Sequence, residues 1–206
     1  MKEHEPRVFV VDDDQSVRTS LANLLATEDY AVEIFTNAAE YLARVPHPGP
    51  ACLVLDVQLP GLNGLALQQQ LTEEGRMEQI VFITGHGDIP MGIGAMKCGA
   101  ADFLPKQFRD DELLIAVARA RARSAKDCQQ RVEVVESRRR LTKLTPREFE
   151  VFRLVIAGRL NKEIGAELDV TLRTIKTHRA RVMQKTGVVS VAELVRLAQK
   201  AGVAPA

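Results

Sequence analysis

The chain is poor in several things, and each shortage removes a class of explanation. It has no tryptophan and only two tyrosines among 206 residues. Aliphatic residues must therefore supply most of the core, with the seven phenylalanines beside them. No apolar run approaches the roughly 18 residues that cross a bilayer, so a membrane partner is not expected. The first residues, MKEHEPRVFVVDDD, lack the apolar stretch of a secretory leader. Cysteine is scarce and odd in number: Cys52, Cys98 and Cys128 stand far apart and match no metal-ligand spacing. Reduced thiols and a cytoplasmic location are the plain expectation. Glycine and proline are missing altogether from 109 to 140, which favours a long uninterrupted helix there.

What the chain does have is a lopsided charge. Residues 1–118 carry 8 Lys/Arg against 18 Asp/Glu, and residues 119–206 carry 20 against 9, so a formal net charge of +1 conceals an acidic half and a basic half. Two domains with different partners follow, the basic one suited to a polyanion. A length of 206 residues with 46% apolar content fits two modest cores better than one.

In the acidic half, apolar runs alternate with helical patterns. RVFVV (7–11), AVEIF (31–35), ACLVLD (51–56), IVFIT (80–84) and a short run at 101–104 are strand-like. Helices are expected at 15–28, after Asn37, after PGLNG, near 88–98 and from about 109. Buried strands separated by helices imply an α/β fold with a parallel, doubly wound sheet, and in such sheets ligands gather at the carboxyl ends of the strands. The reactive residues fall at those ends. The first strand runs into Asp12, Asp13 and Asp14, the third ends in Asp56, the fourth in Thr84, and Lys106 follows the fifth. Clustered carboxylates repel one another unless a cation shares them, and hard oxygen ligands suit Mg²⁺ or Mn²⁺. Asp56 could then attack a phosphoryl group and become an acyl phosphate.

The basic half reads as four short helices. Thr145, Pro146 and Glu148 make a capping box at the start of the first, Asn161 opens the second, and Ser190 caps the fourth. The third, TLRTIKTHRARVMQKTG, carries Arg173, Lys176, Arg179, Arg181 and Lys185 without one acid between 172 and 185. Ile175 and Val182, with Leu172, are expected to face inward. A basic helix following a short helix across the tight connection Asp169–Thr171 is a helix-turn-helix arrangement. Lys176, Thr177 and Ala180 would approach base edges. Arg173, Arg179, Arg181 and Lys185 would bind phosphates.

VVDDD (10–14), LVLDVQLPGLNG (53–64), ITGHGDIP (83–90) and MKCGAADFLPK (96–106) together resemble the receiver domain of two-component systems. The segment from Leu144 to Gly202 resembles the LuxR-type DNA-binding domain. The whole chain is thus similar to a FixJ-type member of the NarL family of response regulators, and GHGDIPM strengthens the FixJ side. The resemblance implies a receiver domain over 1–122, a helical linker over 123–140 and a DNA-binding domain over 141–206. It implies Asp56 as phospho-acceptor, Asp12, Asp13, Asp56 and the Gln58 carbonyl as metal ligands, Thr84 and Lys106 as phosphoryl contacts, Phe103 as the switch aromatic, and Asn161 and Lys162 as further DNA-phosphate contacts beside Lys176 and Thr177. It further implies a sensor histidine kinase, a double-stranded DNA operator, a homodimer on phosphorylation, and transcriptional activation with RNA polymerase as a partner.

One departure stands out. Such receivers usually place a proline after the lysine, often through a cis bond, whereas here Gln107 follows Lys106. Either a non-proline cis bond is tolerated, at roughly 2.5–4 kcal/mol, or the peptide is trans and Lys106 points differently; the trans form is the expectation. Two rival functions remain. One is a phosphorylation-independent DNA-binding regulator whose receiver only dimerises. The other is a phosphohydrolase with an aspartyl nucleophile, disfavoured because Gln58 stands where that class keeps a second aspartate; no enzyme is expected.

Overall fold

The computed structural model describes residues 5–76, 78–85 and 89–206. The chain divides into two units, Met1–Cys128 and Gln129–Ala206.

The first unit is a five-stranded, all-parallel sheet with helices on both faces. Its strands are β1 (Arg7–Val11), β2 (Ala31–Phe35), β3 (Ala51–Asp56), β4 (Gln79–Thr84) and β5 (Asp102–Pro105), in the order β2-β1-β3-β4-β5. Between them run α1 (Gln15–Ala26), α2 (Ala38–Ala43), α3 (Gly64–Glu73) and α4 (Ile89–Lys97). Every residue of β3 and β4 is buried, as expected for strands covered on both faces. Alternate side chains feed two apolar layers, one around Phe9, Leu53, Leu55, Leu67 and Phe82, the other around Val8, Val10, Val54, Ile83 and Leu113. The strand order reverses between β1 and β3, which opens a crevice at their carboxyl ends. The GHG of GHGDIPM begins inside the described residues at Gly85, but His86, Gly87 and Asp88 lie outside them.

Helix α5 (Asp110–Leu141) runs unbroken for 32 residues and passes from one unit into the other. The absence of Gly and Pro permits this. Its N-terminal portion belongs to the first unit: Val117 and Ala120 are in the core. The Ser124 hydroxyl accepts the amide of Ala51 at 2.9 Å, and Gln79 donates to the Asp127 carboxylate at 3.0 Å. Val132 and Val135, further along, are exposed.

The second unit adds α6 (Pro146–Ile156), α7 (Asn161–Glu167), α8 (Leu172–Thr186) and α9 (Val191–Ala201) to the end of α5. Its core includes Leu141, Phe152, Ile164, Ile175, Val182 and Leu197. α6 begins with the anticipated capping box, Thr145 and Glu148 bonding reciprocally. Leu172 corrects the expectation of an inward residue: it is 49% exposed, because it opens α8 one turn before the packed Ile175. Among the described residues no helix is long and apolar enough to cross a membrane.

Candidate functional site

The crevice of the first unit gathers residues from three strand ends. Asp12 follows β1, Asp56 ends β3, and Lys106 follows β5. Asp12 and Asp56 are buried, Asp13 is exposed, and one carboxylate oxygen from each of the three lies within 4.8 Å of the others. The ammonium of Lys106 sits between the two buried acids, 2.7 Å from Asp56 Oδ2 and 2.9 Å from Asp12 Oδ2. Asp56 Oδ1 accepts the amide of Gln58 at 3.0 Å, and Asp12 Oδ1 accepts that of Asp14 at 2.9 Å. Asp14 in turn caps α1 by accepting the amides of Ser16 and Val17.

Burial pushes the Asp12 carboxyl up from its ordinary value, against the pull of Lys106 and the Asp14 amide. Burial works against the charge of Lys106, but its bonds to Asp56 and Asp12 outweigh that and hold its pKa above the usual lysine range. Hard oxygen donors in a group of three, two of them buried, make a donor set that fits a divalent cation.

All peptide bonds among the described residues are trans, the Lys106–Gln107 bond included. The expectation that a trans peptide would turn Lys106 elsewhere is overturned. The Lys106 amide donates to the Thr84 carbonyl at 2.7 Å, which continues the β4–β5 ladder by one residue and aims the side chain into the crevice. Thr84 is fully buried at the end of β4. Phe103 on β5 is half-buried and tilted against Phe82 at 6.2 Å between centroids. A methyl group on Gly92 of α4 would come within 3.2 Å of the Phe103 ring. Beside it Ile93 and Met96 are about half exposed, while Met91 packs on the core.

Two further residues shape this site, and no sequence motif marks the role of either. Arg18 is buried on α1, and its guanidinium donates to the Asp12 carbonyl at 2.6 Å. Its signal was a charged residue at the spacing of the buried Leu21 and Leu25. Gly64 lies against the peptide of Asp56: a Cβ there would stand 2.4 Å from the Asp56 carbonyl oxygen.

In the second unit, Arg173, Lys176, Thr177, Ala180 and Arg181 are exposed along α8, on the side away from Ile175 and Val182. Arg179 is half-buried and bonded to the Asn161 side chain at 2.8 Å, while Lys162 is exposed at the start of α7. Lys185 departs from its expected place among free phosphate-binding cations. Its ammonium pairs with the buried Glu148 at 2.6 Å.

Comparison with known proteins matches the two units separately and the chain as a whole. Residues 8–118 match the response regulator receiver domain, and residues 142–198 match the luxR family of bacterial regulatory proteins. Nodulation protein W of Bradyrhizobium diazoefficiens is 44% identical over 95% of this chain and 86% of its own length. The transcriptional regulatory protein FixJ of Azorhizobium caulinodans is 42% identical over 97% of this chain and 94% of its own. Among solved structures, the response regulator StyR superposes with a TM-score of 0.85 at 45% identity, over 95% of this chain and 99% of that one.

Proposed function

The chain belongs to the response regulators that join a receiver domain to a LuxR-type DNA-binding domain, and from that premise we propose that phosphorylation of Asp56 by a sensor histidine kinase drives dimerisation and sequence-specific DNA binding, activating transcription in the cytoplasm. The observation that carries the proposal is the buried Asp56 carboxylate, held between the Lys106 ammonium and the Gln58 amide at a sheet's topological switch point.

These contacts fix the direction of the carboxylate. An oxygen of Asp56 attacks the phosphorus of the donor. The bond from phosphorus to the donor's leaving atom breaks, the donor leaves with that electron pair, and an acyl phosphate remains. Asp12, Asp13, Asp56 and the Gln58 carbonyl are the residues that would hold Mg²⁺ or Mn²⁺, which when bound would neutralise charge on the phosphoryl oxygens. Lys106 supplies a second positive charge. Phosphorylation adds up to about two negative charges and new acceptor oxygens. Thr84 donates to one of these, and the Phe103 ring follows it inward. That rearrangement reshapes the face carrying Ile93 and Met96, on which a second copy docks. Two α8 helices then reach successive major grooves, about 34 Å apart. Lys176, Thr177 and Ala180 read base edges, while Arg173, Arg179, Arg181, Asn161 and Lys162 hold phosphates. RNA polymerase is the partner recruited at the promoter.

The test is incubation with radiolabelled acetyl phosphate and Mg²⁺, followed by sedimentation. The wild type takes up one label per chain and doubles in mass; Asp56→Asn does neither. Full labelling of Asp56→Asn would assign the wrong acceptor. Wild-type-like dimerisation and DNA binding by an unlabelled Asp56→Asn would favour a phosphorylation-independent regulator.

A further inference from the structure

The first turn of α6 makes two contacts that lie outside the proposed phosphorylation and DNA-reading machinery. Arg147 and Glu148 stand side by side there, immediately after the capping residue Thr145 and Pro146. Arg147 Nη2 donates to the carbonyl of Leu168 at 2.6 Å, and its Nη1 pairs with Glu150. Leu168 closes α7, where the last helical carbonyls have no partner within the helix. Arg147 therefore fastens the turn between α7 and α8. That turn lies close to α7, since a Cβ on Gly165 would stand 2.9 Å from the Val170 carbonyl oxygen.

Glu148 holds the opposite end of α8. Its Oε2 accepts the Thr145 amide at 2.9 Å and the Lys185 ammonium at 2.6 Å. The Glu148 side chain is 3% exposed and that of Lys185 34%. A buried carboxylate left without its cation would be costly, so the pair is a strong geometric constraint. The two fastening points, Leu168 just before α8 and Lys185 in its last turn, bracket a helix of roughly 20 Å.

We propose that Arg147 and Glu148 form a two-point clamp that fixes the attitude of α8, so that Lys185 belongs to the clamp and Glu148 is a positioning residue for sequence discrimination. This rests on the assignment of α8 as the recognition helix. Base-edge hydrogen bonds demand a fixed helix direction, whereas phosphate contacts by long flexible cations tolerate a small tilt. The clamp therefore governs specificity far more than overall affinity. Breaking it at Glu148 also releases an ammonium towards the polyanion.

The experiment uses the full chain treated with acetyl phosphate and Mg²⁺. A duplex is first selected from a random pool by the wild type, and affinities for it and for a random duplex are measured across a salt series. In Glu148→Gln the amide oxygen can still accept the Thr145 amide, so the cap survives while the ion pair is lost. Affinity for the selected duplex falls about tenfold, the size of one good base contact. Affinity for the random duplex holds or rises, and its salt slope steepens by up to about 0.9 as Lys185 becomes available. Lys185→Met loses the same discrimination without the steeper slope, and carries the test should Glu148→Gln fail to fold. Parallel loss on both duplexes would make the pair a matter of stability alone and overturn the clamp, as would unchanged discrimination in both variants. A wild type that selects no sequence would overturn the DNA-reading assignment itself, and the clamp with it.

Discussion

Replacing Gly64 with alanine would place a methyl carbon 2.4 Å from the Asp56 carbonyl oxygen and 3.0 Å from the Val57 Cα. Ordinary van der Waals contact begins at 3.4 Å, so one side must retreat by about 1 Å. The obstruction is backbone on both counts, and β3 is buried along its whole length, which leaves no soft direction for the strain. Forcing such a contact typically costs about 1–3 kcal/mol, or very roughly 3–10 °C in the melting temperature of a chain this size. The larger effect falls on chemistry. The peptide that would be pushed carries the Asp56 carboxylate, now 2.7 Å from Lys106 Nζ and 3.0 Å from the Gln58 amide. A displacement near 1 Å removes both bonds from hydrogen-bonding range, and misplacement of that size costs on the order of 100-fold in rate. The assay is the rate of autophosphorylation by acetyl phosphate, with a thermal melt alongside. Gly75→Ala is the control: its φ of +67° is strained for alanine, but none of the described residues lies within 4 Å of the new methyl. It should lose roughly 1 kcal/mol of stability and keep its phosphorylation rate. If Gly64→Ala phosphorylates at the wild-type rate, the close approach of α3 does not position the acceptor.

Three further outcomes follow from the same geometry. Asp13→Ala removes the exposed member of the three-carboxylate group, so Mg²⁺ binding in a calorimetric titration should weaken and phosphotransfer slow, with little change in melting temperature; unchanged Mg²⁺ affinity would remove Asp13 from the ligand set. Lys176→Ala should cost about 1–3 kcal/mol on one preferred sequence and relax discrimination at one base pair, whereas Arg181→Ala should weaken all duplexes alike and flatten the salt slope by about one unit; indistinguishable variants would refute the division of labour along α8. The Lys185 ammonium, with the Thr145 amide, holds the Glu148 carboxyl down to about 2 from an ordinary 4.5. A depressed carboxyl stabilises the fold above its unfolded pKa and loses that contribution as pH falls through the folded one. The melting-temperature gap between wild type and Glu148→Gln should therefore be full at pH 6 and shrink between about pH 4.5 and 2; a gap independent of pH would mean that the carboxylate charge plays no part.

Much of this was legible in the sequence, for physical reasons that can be traced residue by residue. Strands β1, β3 and β4 are short, apolar and bounded by polar or turn residues, so their positions can be read directly. The crevice was legible because its residues occupy strand ends, where a parallel sheet brings distant segments to one edge. The pairings that stayed hidden join residues whose proximity no local pattern encodes. Arg18 reads as a surface arginine until α1 packs and its guanidinium meets the Asp12 carbonyl. Glu148 was recognised for its local role as a helix cap, but its partner Lys185 lies 37 positions away and looks like one more basic residue on a basic helix. Leu172 departs from the pattern because helical spacing gives a direction but not where the neighbouring element ends.

The bonds that Ser124 accepts from Ala51 and Asp127 accepts from Gln79 bear on how a chain of this kind can be divided or recombined. A fragment ending at residue 122 would strip a partner from the first residue of β3 and the first residue of β4, and should be less stable than one ending after Cys128. Gene fusions that exchange the DNA-binding half between relatives meet the same rule. A crossover placed before Ser124 separates the sheet from side chains that satisfy its base, while one placed after Asp127 leaves them together. The sustainable junction falls inside a continuous helix, where sequence offers no glycine, proline or loop to mark it.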